Sequence, residues 1–179
     1  SLNNMDLSFL RSHITFGLNK IFLGFKKFHF YPKYYVAVNP KVISQSKDSI
    51  HRLNCVKFLG TRGAKGVIEE SALTYLLNTD KPPERFCKEL SAGLREGGTV
   101  TYAALQIAYY MGFKTVVIIG MDHNFVYQGS PNESKVMNGA DPNHFVDEYF
   151  GYGQSWDNPD LKKSEESYEV AKRIFEEDG

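Results

Sequence analysis

The stretch GGTVTYAALQIAYYMGFKTVVIIGMDHN, residues 97 to 124, decides the fold. Two glycines turn the chain and Thr99 has N-cap chemistry. Val100, Ala104, Ile107, Ala108 and Met111 then recur at helical spacing until Gly112 ends the run. The spacing predicts a helix. Val116, Val117, Ile118 and Ile119 follow as an apolar run without alternation, which is how a strand covered on both faces of a parallel sheet reads. That run is expected to be a central strand.

Working outward, β-branched and aromatic runs predict strands at 14–17, 34–39 and 56–59, and 72–77 reads as an edge strand. The first two runs lead to asparagines, Asn19 and Asn39. Val42, Ile43, Ser46, Ile50 and Leu53 keep one helical face, predicting a helix over 42–53. Asn158 and Pro159 have the chemistry of the start of a last helix, with Leu161, Tyr168, Ala171 and Phe175 as its buried stripe. Residues 122–160 form a polar stretch rich in Gly, Asn and Asp, far longer than the roughly 4–6 residues of an ordinary connection, and read as a lid or binding loop. Strands alternating with helices imply an α/β fold with a parallel sheet, whose ligands lie outside the carboxyl ends of the strands.

Composition narrows the function. The 179 residues are 42% hydrophobic and 23% charged, as in one globular domain. Lys plus Arg and Asp plus Glu each number 21, so no net field draws in nucleic acid. Two cysteines, Cys55 and Cys87, form neither a disulfide framework nor a metal-ligand spacing, which favours a cytoplasmic location. No apolar run approaches the roughly 20 residues of a membrane span, so any membrane association is expected to be peripheral. The aromatic cluster in residues 16 to 35 suits a core or a homo-oligomer contact.

At the predicted strand ends, the turn at Gly97, Gly98 and Thr99 can present backbone N–H groups to a phosphate, or merely cap the helix. Asn19 and Asn39 carry a donor and an acceptor each, suited to a base edge or a ribose, or to turns alone. His144, in DPNHF, is a candidate general base, and His123 follows Asp122 after the apolar run. Asp122, His123, Asp141, His144 and Asp147 have no diagnostic metal spacing, so no metal site is expected.

The segments ITFGLNKIFL, YYVAVNPKVI, EGGTVTYAALQIAYYMGFKTVVIIGMDHNF, PNE at 131 to 133, and DPNHF resemble the DUF115 group, bacterial proteins similar to 6-hydroxymethylpterin diphosphokinase and to motility-associated flagellin glycosylation factors. More distantly, the chain is similar to the bacterial CMP-sialic-acid sialyltransferases of glycosyltransferase family 42. The resemblance implies a Rossmann-like three-layer sandwich with a mainly parallel central sheet and a long polar lid, over a single nucleotide-binding domain at 1–179 that is truncated at both ends. It implies a metal-independent inverting glycosyltransferase, with a nucleotide-sugar donor and a glycan or protein acceptor and no bound cofactor. His144 would be the base. Asn3, Asn19, Asn39, Gly98, Thr99, Gly120, Asp122 and Asn124 would face the nucleotide. Asn124 stands where that family has a tyrosine, so Tyr127 or a later tyrosine, Tyr149 or Tyr152, would assist the leaving phosphate. Two alternatives stand beside this reading: a diphosphokinase using Mg²⁺ and ATP, with Asp122 on the metal, and a sugar-nucleotide-binding module without catalysis.

Overall fold

The computed structural model describes residues 2, 5–80, 84–121 and 123–178. Its elements are β1 (Phe16–Leu18), α1 (Phe25–Phe28), β2 (Tyr34–Ala37), α2 (Pro40–Gln45), α3 (Lys47–His51), β3 (Val56–Gly60), α4 (Thr61–Ala64), β4 (Thr74–Leu77), α5 (Val100–Tyr110), β5 (Ser134–Val136), β6 (Ser155–Asp157) and α6 (Leu161–Asp178). The first four strands form one all-parallel sheet in the order β1-β2-β3-β4. Parallel neighbours need crossovers, and here helices supply them between β2 and β3, and between β3 and β4.

Alternation along β2 builds the layers. Tyr35 and Ala37 point to one face, where they pack with Ile43, Ile50, Ala64 and Leu59 under α2, α3 and α4. Val36 and Val38 point to the other, against Ala103, Ala104 and Ile107 of α5. A β-strand presents successive side chains to opposite faces, so a strand buried on both sides forces helices onto both. The result is the three-layer α/β sandwich of the Rossmann-like kind.

Helix starts follow local chemistry. Asn39 caps α2, its Oδ1 accepting from Lys41 N at 2.8 Å and Val42 N at 3.3 Å, with Pro40 at the first helical position. Thr99 caps α5, accepting from Thr101 N at 3.3 Å. The single helix expected over 42–53 is two, because the backbone at Ser46 leaves helical angles (φ −124°, ψ 14°) before Ile50 N renews the ladder on Ser46 O. The last helix starts later than expected. Asp160, not Asn158, satisfies its first turn, with Oδ1 accepting from Lys163 N at 3.1 Å, while buried Asn158 donates to Gln128 O and Ser130 O.

One expectation is overturned. Residues 116–119 are not a central strand. Residues 116–118 run exposed beyond β1, with Val117 at 79% exposure, Ile119 is half-buried against the core, and no hydrogen bond joins 115–121 to any other described residue. Apolar β-branched sequence favours a covered, paired strand, but pairing needs a neighbouring backbone edge. A cavity separates this run from β1 instead. The central strands are β2 and β3. Residues 122–160 are partly built: β5 and β6 pair antiparallel, and Tyr149, Phe150 and Trp156 pack on Val42 of α2. No helix of the described residues is long and apolar enough to cross a membrane.

Candidate functional site

A cavity of about 1020 Å³ opens at the carboxyl ends of β1 and β2, roofed by the 122–160 segment and flanked by the turn before α5. Its size is that of a small-molecule site. Asn19, Asn39, Gly98, Thr99, Gly120, Asn124 and His144 all line it. Thus the structure brings together seven of the residues picked out on sequence. Asn3 and Asp122 lie outside the described residues.

His144 is held on three sides. Its Nδ1 lies 2.8 Å from Asp141 Oδ2, and its ring stacks on Tyr149 with centroids 3.9 Å apart and 6° between planes. Phe125 and Phe150 meet it edge-on. An ionised carboxylate only accepts, so a neutral His144 carries its proton on Nδ1 and leaves the Nε2 lone pair free to act as a base. The imidazole keeps 19% of its surface exposed.

Asp141 is positioned by an Asx turn through Pro142. Its Oδ1 accepts from Asn143 N at 2.9 Å and its Oδ2 from Phe150 N at 3.2 Å, besides His144. Burial pushes the Asp141 carboxyl up, but the hydrogen bonds from His144, Asn143 and Phe150 outweigh it and hold the group below its ordinary value. Beneath them lies Lys20, only 2% exposed. Its Nζ donates to Tyr149 O at 2.7 Å and to Gln154 Oε1, and sits 4.3 Å over the Phe150 ring. Burial lowers Lys20 to about 8, against the opposing pull of Asp141. Lys20 thereby ties β1 to the loop bearing His144.

The asparagines behave differently from one another. Asn19 takes a left-handed conformation (φ 48°), its carbonyl accepts from Tyr35 Oη at 2.6 Å, and its side-chain Oδ1 is buried without a partner. The Oδ1 of Asn39 is occupied by its capping role, so only its amide nitrogen is left for a ligand. Gly98 (φ 82°) and Gly120 (φ 70°) use backbone angles that favour glycine.

The turn before α5 is clamped by α6. Ser167 Oγ donates to Gly97 O at 2.8 Å and Ser164 Oγ to Gly98 O at 3.4 Å, and Tyr168 Oη lies 3.2 Å from Thr99 Oγ1. Arg62, which lines the cavity, bridges Glu96 at 2.6 Å. Burial raises the Glu96 carboxyl despite Arg62.

Of the tyrosines expected at the leaving group, Tyr127 and Tyr152 are not in the cavity. Tyr127 packs edge-on to Trp156, and Tyr152 is 82% exposed on a turn. Tyr149, the third of them, does line it, together with Tyr168 of α6. Tyr168 was masked in the sequence by its helical stripe. Asp141 was legible: a carboxylate three residues before a histidine across Pro-Asn is an Asx-turn pattern. His123, also on the wall, is paired to Glu165 at 3.0 Å. Among the described residues no three His, Cys, Asp or Glu side chains converge as a metal site. No family model, curated protein or solved structure matches this chain.

Proposed function

We propose that the chain is a nucleotide-sugar-dependent transferase of the sialyltransferase type. The observation that carries this reading is the Asp141–His144 pair on the wall of a largely apolar cavity in which Asn19, Asn39 and the glycine turns at Gly98 and Gly120 supply polar groups at the strand ends. His144 Nε2 takes the proton of an acceptor hydroxyl as that oxygen attacks the anomeric carbon of the donor. The bond to the phosphate of CMP breaks on the opposite face, inverting the centre. The imidazolium that forms is stabilised by Asp141. Backbone N–H groups at the start of α5 and the Tyr168 hydroxyl, beside Thr99, receive the charge developing on the leaving phosphate. Asn19 and the Asn39 amide address the nucleoside.

The test is release of CMP from a CMP-activated nonulosonic sugar, with protection from thermal unfolding by CMP compared against ATP. His144→Ala is expected to lower turnover by about 10²–10⁴-fold while leaving CMP protection intact. Full activity in that variant, or protection by ATP alone, would sink the assignment.

A further inference from the structure

One wall of the cavity takes no part in the transfer proposed above. It forms where the loop before β5 meets the end of β6 and the start of α6, and Asn132, Asp157, Asn158 and Asp160 stand on it. Asn158 is only 1% exposed. Its Nδ2 donates to Gln128 O at 2.8 Å and to Ser130 O at 2.9 Å, neither residue lining the cavity. Both of those carbonyls can only accept, which fixes the amide in this orientation. Its Oδ1 is therefore turned away from the loop, and there it is buried without a partner. A buried acceptor left unpaired is costly, and a donor entering from the cavity relieves that cost.

We infer, on the transferase reading, that this wall is the sugar subsite: Asn158 Oδ1 accepts from one hydroxyl of a pyranose ring, while Asn132 and Asp160 hold a neighbouring hydroxyl. The Asn132 amide donates toward Asp160 Oδ2 over a long 3.5 Å, so both groups have capacity for a ligand. A sugar hydroxyl donates and accepts at once, which matches one amide donor beside one carboxylate acceptor. A cation suits the wall less well. Asp157 is already paired to Lys41, and Asp160 Oδ1 accepts from Lys163 N at the head of α6. Among the described residues no three His, Cys, Asp or Glu side chains converge as a metal site. The same hydroxyl chemistry is offered by the transferred sugar and by a glycan acceptor.

Titration of the isotope-labelled chain with free sugars, followed by NMR, tests the subsite. N-acetylneuraminic acid probes the donor side; galactose, glucose and N-acetylglucosamine probe the acceptor side. The expected result is a shift of the Asn158 and Asn132 side-chain amide signals by one of these sugars, and the one that acts tells donor from acceptor. Asn158→Leu is expected to abolish that binding. Asn132→Ala, at an exposed side chain, serves where the first variant fails to fold, and is expected to weaken the sugar about 10-fold with an unchanged unfolding midpoint. Protection by CMP is followed separately on the same samples. Sugar shifts at Asn158 without CMP protection would support the subsite and sink the transferase reading. Two results would overturn the subsite, whatever CMP does. No sugar could shift either amide up to about 50 mM, beyond the millimolar affinity range. A sugar could bind Asn132→Ala as tightly as the unaltered chain.

Discussion

Replacing Asp141 by Asn changes one atom and inverts a hydrogen-bond pattern. The carboxylate accepts three bonds, from His144 Nδ1, Asn143 N and Phe150 N. An amide keeping its oxygen on Asn143 N must turn its NH₂ toward Phe150 N–H, so a buried backbone donor loses its partner. An orphaned buried donor costs about 1–3 kcal/mol, and the lost charge-assisted bond from His144 adds about 1. The sum is about 3 kcal/mol. With a urea slope of about 2 kcal/mol/M, the unfolding midpoint should fall by about 1.5 M at neutral pH. Acidity supplies the control. The folded carboxyl is held below its ordinary 3.8, so its stabilisation is complete above that value and is lost as pH falls through the lower, folded value. The gap between the two proteins should therefore close only below about pH 4. In the variant His144 can accept from the new amide on Nδ1, which protonates Nε2 and removes the base, so turnover should fall together with stability. Midpoints within about 0.3 M of one another at neutral pH would refute the hydrogen-bond reasoning.

Gln106, wholly buried on α5, bonds Cys87 N, Arg95 N, Arg95 O and Tyr102 O; Gln106→Leu should lower stability by about 3 kcal/mol in denaturant titration, since several backbone groups lose their partner together. Gly97 has φ 61° and its added Cβ would strike the Tyr102 ring and come 2.7 Å from Ser167 Oγ, so Gly97→Ala should cost about 2–4 kcal/mol by the same assay. Lys20 is lowered to about 8 from 10.5; between those values the unfolded chain holds a proton that the folded one has released. Stability should accordingly rise with pH by about 3 kcal/mol across that window relative to Lys20→Met, and a pH-independent difference between the two proteins would contradict the placement of this ammonium. Ile107→Ala, at a wholly buried position between α5 and the sheet, should cost about 2–5 kcal/mol.

Much of this architecture was readable because single residues carry two kinds of information. Asn39 both stops β2 and caps α2, and Thr99 begins α5 beside the cavity, so the helix starts and the site wall were found together. The strand expected over 34–39 forms at 34–37, and the edge strand expected over 72–77 forms at 74–77. Residues 116–119 failed because propensity describes a side chain's fit to a sheet and says nothing of whether a backbone neighbour is present. The tyrosines were misplaced for a different reason. Tyr127 and Tyr152 stand near His144 in sequence, but Tyr127 packs on Trp156 of β6 and Tyr152 is exposed on the turn before it, and the hydroxyl that reaches Thr99 comes from α6, 69 positions further on. Lys20 gives no signal at all in one dimension, since its partners lie 129 and 134 positions away.

The small residues on α6 let it lie close to the turn at 97–99, with Ser164, Ser167 and Ala171 buried along the seam. That helix therefore acts as a splint on the turn before α5, and the two form a single mechanical unit. A ligand that tightens the turn will slow amide exchange along α6 as far as its C-terminal turns, beyond the residues that line the cavity.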